Sequence, residues 1–226
     1  QSRAVVSQLF REESGKGLRP ARLGQIAEIN PGLGGARPES VVAFYGMADL
    51  SEAGVFRFAP QMRDFDAVRT GFTRFRRGDV LVAKITPCFE NGKAGHLVQA
   101  PTDVCFGSTE FHVLRAKEVP PEVIAAVVRH PVFRERGASS MTGSAGQQRV
   151  PAQFLRDFPL TLPDDDQMQR MAAVLGTASR RAGLLDAYVT NLQAERRALM
   201  TQLLSGALQS PPRPAPACKA TEAVNA

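Results

Sequence analysis

The chain has 226 residues, 43% of them hydrophobic and 22% charged, with a formal net charge of +6 and a pI near 9.7. That length suits one sizeable domain with an extension, or two small ones, and the composition is globular rather than disordered throughout. No apolar run reaches the length of a membrane span and QSRAVVSQLF at 1–10 lacks the apolar core of a signal peptide, so a cytoplasmic protein with no membrane association is expected.

Three cysteines, Cys88, Cys105 and Cys218, have no regular spacing and give no disulfide framework. Together with His96, His112 and His130 they form no zinc-ligand pattern, so no metal site is expected. The basic balance points toward an anionic partner, nucleic acid first, although +6 alone is a weak signal.

In chain order, residues 1–19 read as the end of a helix with a linker. QSRAVVSQLF at 1–10 aligns with ERRALMTQLL at 195–204, placing Arg3, Ala4, Gln8 and Leu9 on Arg197, Ala198, Gln202 and Leu203. The match suggests a unit of rod end, globular domain and whole rod, as if cut from a repeating pattern, and the absence of an initiator methionine fits such a cut. Residues 20–162 follow as a globular domain. Its short apolar runs VVAFYGM, DVLVAKI, AGHLVQA, EFHVLRA and DFPLTLP predict strands, separated by glycine and charged turns. PPEVIAAVVRH and PVFRERGAS predict two helices, with Pro131 breaking one from the next. The fold class expected is therefore α+β.

Residues 163–208 read as one long helix. Pro163 and the acids Asp164 to Asp166 suit its start, because carboxylates favour the positive end of the helix dipole. Met171, Leu175, Ala178, Ala182, Leu185, Val189, Leu192, Leu199 and Leu203 follow steps of three and four, interrupted at Arg196. Such a sustained 3.5-residue repeat is the pattern of a coiled coil, and about 40 residues would make a rod of roughly 60 Å. Helix pairing is expected through Met171, Leu175, Leu185, Val189, Leu192, Leu199 and Leu203; packing along the chain's own domain is the alternative. Residues 209–226, rich in proline and alanine, predict a disordered tail.

Enzymatic motifs are missing. Lys16 and Lys93 follow glycines without the rest of a phosphate loop, and INPGLGG at 29–35 is not the Asn-Pro-Pro-aromatic motif of an amino-methyltransferase. Ser, His and Asp sit in no nucleophile motif, and Glu110 and Glu118 make no two-metal nuclease pattern. A binding role is favoured over catalysis.

FRRGDVLVAKITPCFENGKAG (75–95), FGSTEFHVLR (106–115), MTGSAGQQRVP (141–151) and FPLTLPDDDQMQRMAAVL (158–175), in this order and followed by a long helix, resemble the DNA-specificity subunit of type I restriction-modification systems. The resemblance implies a target-recognition domain that reads one half of a split double-stranded DNA site. The long helix would be a spacer and a dock for an adenine methyltransferase subunit. That partner would carry S-adenosylmethionine, leaving this chain without cofactor or chemistry, and a restriction subunit would be a further partner. Full-length members hold two such units; this sequence has one. It is thus either a half-subunit that dimerises through its helix or a piece of a two-unit chain.

Base readers are expected outside the shared patterns. FRFAPQMRDFDAVRTGFTRF (56–75) supplies Arg57, Arg63, Arg69 and Arg74, each able to engage guanine O6 and N7. A solvated basic face is the plainer alternative. Lys84, Asn91 and Lys93 surround a turn at 90–92 and are candidates for phosphate contact or for the turn itself. The resemblance implies that Gln147, Gln148 and Arg149 lie in a stretch common to members with different targets. Phosphate contact and bracing of a neighbouring loop are therefore favoured over base reading. A rival function is a coiled-coil adaptor that never touches DNA.

Overall fold

Alternation decides how the strands lie. A computed structural model describes Val6 and residues 8–10, 18–144 and 146–205. The strands are β1 (Arg19–Arg22), β2 (Ala27–Ile29), β3 (Val41–Tyr45), β4 (Gln61–Asp64), β5 (Thr73–Arg76), β6 (Val80–Ala83), β7 (Ala94–His96), β8 (Val104–Gly107), β9 (Phe111–Ala116) and β10 (Pro159–Leu162). β1 and β10 form a small antiparallel pair. A first four-stranded sheet runs β2-β9-β6-β7, all antiparallel. A second runs β4-β3-β8-β5, in which β3 and β8 are parallel.

Successive side chains in a strand point to opposite faces. Leu81, Phe111 and Val113 of the first sheet therefore meet Ala43, Tyr45, Phe75 and Cys105 of the second in one dry core. Burial there pushes the Cys105 thiol up to about 12. Val80, Val82 and Leu114 turn the other way, into a larger core under the helices. Val42, Phe44, Val104 and Phe106 form a third, smaller cluster on the outer face of the second sheet, covered by Val68 and by Leu33, Ala36 and Phe65.

α3 (Pro121–Arg129) starts with proline in its first turn, where a missing N–H costs nothing, and buries Val123, Ile124, Val127 and Val128 along one face. It stops where Pro131 opens α4 (Pro131–Ser139), and the His130 ring accepts from Val132 N at 3.3 Å. A Cβ at Gly137 of α4 would run into the Phe89 ring, so only glycine fits that contact. The short helices α1 (Leu23–Ile26), α2 (Phe65–Val68) and α5 (Ala152–Asp157) complete the domain. Leu9, in a 3-10 turn at Gln8–Phe10, is fully buried in the helical core, and Phe10 stacks on His130 at 3.9 Å.

The expected α+β class holds, and so do both predicted helices and the long one. The last, α6, spans Asp165–Leu204, with the Asp164 carboxylate accepting from Gln167 N at 2.8 Å. Its beginning belongs to the first compact unit, Gln1–Asp186: Met168, Met171 and Ala172 are core residues and Leu175 packs against them. In the second unit, from Ala187, the described residues are helical to Leu204. The expected tail at 209–226 lies outside the described residues. Among the described residues no helix is long and apolar enough to cross a membrane.

Candidate nucleic-acid interface

The outer face of the second sheet collects most of the arginines singled out from the sequence. Arg63 lies on the edge strand β4, opposite Val42, and its guanidinium carbon sits 3.7 Å from the centre of the Phe44 ring. Its Nη2 donates to Gln61 Oε1 at 2.8 Å. Phe72 meets Phe44 edge-on, with centroids 5.0 Å apart. On the other edge, Arg74 of β5 pairs with Phe106 and so points to the same face. Arg69 follows α2, which Val68 roots in this face, and its Nε lies 3.8 Å from Asp66 in an exposed pair. Arg57 is on a different segment, held 3.1 Å from Asp49. Among the described residues no hydrogen bond or ion pair holds the Arg74 side chain.

Beside the β5 edge, Arg74 and Lys84 line a cleft of about 260 Å³ with Asn30, Pro31, Phe72 and Phe111. Lys84 is fixed by its backbone, donating to Glu110 O and accepting from Val150 N, both at 2.9 Å. Asn30 takes the left-handed conformation (φ 54°), and its side-chain oxygen accepts from Val113 N at 2.9 Å. Its amide donates to His112 Nδ1 at 3.2 Å, and His112 Nε2–H donates to Val150 O at 2.8 Å. A carbonyl can only accept, so this pairing fixes the neutral tautomer. Burial holds the imidazole below its ordinary value.

The 141–151 segment packs beside that cleft. Thr142 and Arg149 exchange backbone hydrogen bonds at 3.1 and 2.9 Å, and Thr86 N donates to Gln148 O at 3.0 Å. The Arg149 guanidinium is spent within the domain: Nη2 donates to Glu110 Oε1 at 2.8 Å, Nε to Oε2 at 3.0 Å and Nη1 to Gln147 O at 3.0 Å. Those hydrogen bonds hold the Glu110 carboxyl below the usual carboxylate range. The Gln147 side chain is exposed and Gln148 half-buried.

Asn91 and Lys93 have protein partners too. Asn91 donates to Glu52 Oε1 at 3.0 Å and Lys93 Nζ to Met47 O at 3.1 Å, so both tie the turn at 90–92 to the segment that carries Arg57. The domain also holds a buried ion pair. Asp79, 2% exposed, takes Arg115 Nε at 2.8 Å and Nη2 at 2.7 Å, while Arg76 N donates to the same carboxylate at 2.7 Å. Arg115 Nη1 also donates to Gly32 O at 2.8 Å, anchoring the loop that walls the cleft. Nothing in FRRGDV or FHVLRA signals that these two residues meet.

Of the helix positions, Met171 is 3% exposed and belongs to the domain core, with Leu175 against it. Leu185, Val189, Leu192, Leu199 and Leu203 are 45–66% exposed. Among the described residues there is no group of three or more His, Cys, Asp or Glu able to hold a metal ion.

No family model matches the chain. The specificity subunit of the type I restriction enzyme EcoEI from Escherichia coli is 34% identical over 187 residues, 80% of this chain and 31% of that protein. The EcoAI specificity subunit from the same organism is 34% identical over 151 residues, 66% of this chain and 26% of that protein. This chain is a relative of the type I restriction-enzyme specificity subunits. It spans under a third of the length of these two. The fold agrees: the HsdS subunit from Thermoanaerobacter tengcongensis superposes with a TM-score of 0.57 at 19% identity, over 89% of this chain and 52% of that one. A chain from the structural work on complex assembly and conformational transition of the type I R-M system gives 0.54 at 17% identity, over 90% of this chain and 49% of that one.

Proposed function

We propose that this specificity-subunit relative reads one half of a bipartite double-stranded DNA site, performs no chemistry itself, and sets the gap between half-sites through its long helix. The observation that carries this reading is the outer face of the second sheet. There Arg63, Arg69 and Arg74 surround the apolar ring pair of Phe44 and Phe72. An Arg held over an aromatic ring has its guanidinium steadied for two-pronged hydrogen bonding to guanine O6 and N7. The exposed Phe72 ring beside it suits the apolar methyl of thymine.

The exposed apolar positions from Leu185 to Leu203 serve pairing with a second helix, from another copy of this chain or from a second unit of a longer one. A homodimer would impose an inverted repeat on the site. An adenine methyltransferase subunit, holding S-adenosylmethionine, would then act on a flipped adenine, with a restriction subunit as a further partner. A coiled-coil adaptor would use the same apolar stripe and leave the arginine face idle.

Selection of bound duplexes from a random DNA library, with and without a methyltransferase subunit, tests this. Enrichment of a short defined half-site is expected, as two inverted copies at fixed spacing if the chain dimerises. In the same assay Arg63→Ala should lose about 1–3 kcal/mol of discrimination at a single base pair. No enrichment in either condition would leave the adaptor.

A further inference from the structure

We infer that Arg74 and Lys84 clamp one phosphodiester of the DNA backbone in the cleft between them, leaving base reading on this face to Arg63. The inference rests on the DNA-reading function proposed above and divides the labour among residues of that site.

Two cations line one cleft of about 260 Å³. Among the described residues neither side chain makes an ion pair with a carboxylate, and Glu110, whose carboxyl feels the Lys84 charge, is gripped by Arg149. Like charges that share a cleft without a counterion repel, and an anion between them turns repulsion into attraction. At about 260 Å³ the cleft has room for a phosphate but is far too small for a base pair. Its other walls suit a strand backbone: the Phe72 ring, 38% exposed, offers apolar surface for a deoxyribose, while Asn30 is already committed to Val113 and His112. The Lys84 backbone is pinned from both sides by Glu110 and Val150, and Phe72, next but one to Arg74, is set against Phe44. The backbone that carries Lys84 is thus fixed before DNA arrives. Arg63 differs on each point, since it lies on the far edge of the sheet, outside the cleft, over the Phe44 ring.

The full chain binding a labelled mixed-sequence duplex, titrated between about 50 and about 200 mM salt, reads the clamp directly, because each neutralised phosphate adds about 0.9 to the slope of log affinity against log salt. The Arg74→Gln/Lys84→Gln double variant should lose about one unit of slope, roughly a 3.5-fold smaller affinity change over that range. Its preference for a selected duplex over the mixed one should equal that of the parent chain. Arg63→Ala should do the reverse, keeping the slope and losing the preference. A slope unchanged in the double variant overturns the clamp, and a loss of two units does so as well, since it would mean two separate phosphates. A double variant that loses sequence preference as Arg63→Ala does also overturns it. Salt-independent binding by the parent chain, or none, would instead remove the DNA reading on which the clamp rests. Glutamine keeps both side chains polar and long, and circular dichroism melts of each variant establish that the fold is intact.

Discussion

Arg149 closes on Glu110 with a two-pronged grip, Nη2 to Oε1 at 2.8 Å and Nε to Oε2 at 3.0 Å, joining the 141–151 segment to the turn before β9. A guanidinium committed in this way positions a loop more readily than it reads a base. Arg149→Ala and Glu110→Ala should therefore be strongly non-additive: once either is gone, removing the other costs little further stability. Hydrogen exchange should quicken at Thr142 and Val150, whose amides bond to Arg149 O and Lys84 O. DNA affinity should fall alike on all sequences. A loss of preference at one base pair in Arg149→Ala would make this residue a reader instead.

All three histidines are held below their ordinary value, with burial the largest cause for each. His112 is the most constrained: Asn30 and Val150 occupy its two nitrogens, burial, Lys84 and Arg156 oppose a positive charge, and the Val150 carbonyl and Glu110 only partly offset them. A histidine with a lower value folded than unfolded binds fewer protons in the native state. Its contribution is complete above the unfolded value, about 6.5, and is lost as the pH falls through it. Urea midpoints should hold steady from about pH 8 to 7 and drop between about pH 6.5 and 5. His112→Gln, which cannot take up a proton, should flatten part of that drop. A midpoint constant from pH 7 to 5 would show that the three imidazoles charge freely in the folded chain.

Local pattern carried much of this fold. The two prolines before Glu122, the paired apolar positions of α3 and the break at Pro131 are short-range signals, and the structure follows them. So are the runs VLVA and FHVLRA, which became central strands. β4 and β8 carry no comparable signal. QMRD has no apolar alternation because it is an edge strand, and VCFG is buried on both faces and so does not alternate either. The long helix was legible by its period, but not that Met171 would turn into the domain, since a heptad stripe looks the same whichever surface covers it. At the candidate site the arginines could be named from composition alone. That Arg63 lies over Phe44, that Arg74 and Lys84 line one cleft, and that Arg149 is spent on Glu110, 39 residues away, depend on tertiary contacts that no local pattern encodes.

Asp79 and Arg115 make a further prediction, because their pair lies inside the domain. Asp79→Ala strands the Arg115 guanidinium, 21% exposed on its side chain, and leaves Arg76 N without its carboxylate acceptor. Breaking a buried pair from one side costs about 3–5 kcal/mol, far more than the net contribution of the intact pair. Asp79→Ala should accordingly lower urea stability by about that amount, while Asp79→Leu/Arg115→Met should recover much of it. A loss under about 1 kcal/mol for Asp79→Ala would mean that water reaches Arg115 and takes the place of the carboxylate.

The apolar positions of α6 divide by what covers them. Met171 and Leu175 are packed by their own domain, whereas Leu192, Leu199 and Leu203, in the second unit, are about half exposed within the chain. Apolar side chains repeating at this spacing on a helix gain most when a second helix covers them, by about 1.5–3 kcal/mol for each fully buried leucine. Multi-angle light scattering of the chain at micromolar concentration should therefore give twice the single-chain mass. Leu192→Asp, which sets a charge in the middle of the seam, should return the single-chain mass. The thermal transition of the globular unit should stay where it was, because Leu192 contributes nothing to that core. A parent chain that already runs at single-chain mass would show that the stripe needs a different helix, supplied by a second unit of a longer chain or by a partner subunit. A Leu192→Asp variant that still doubles in mass would move the dimer contact off this helix altogether.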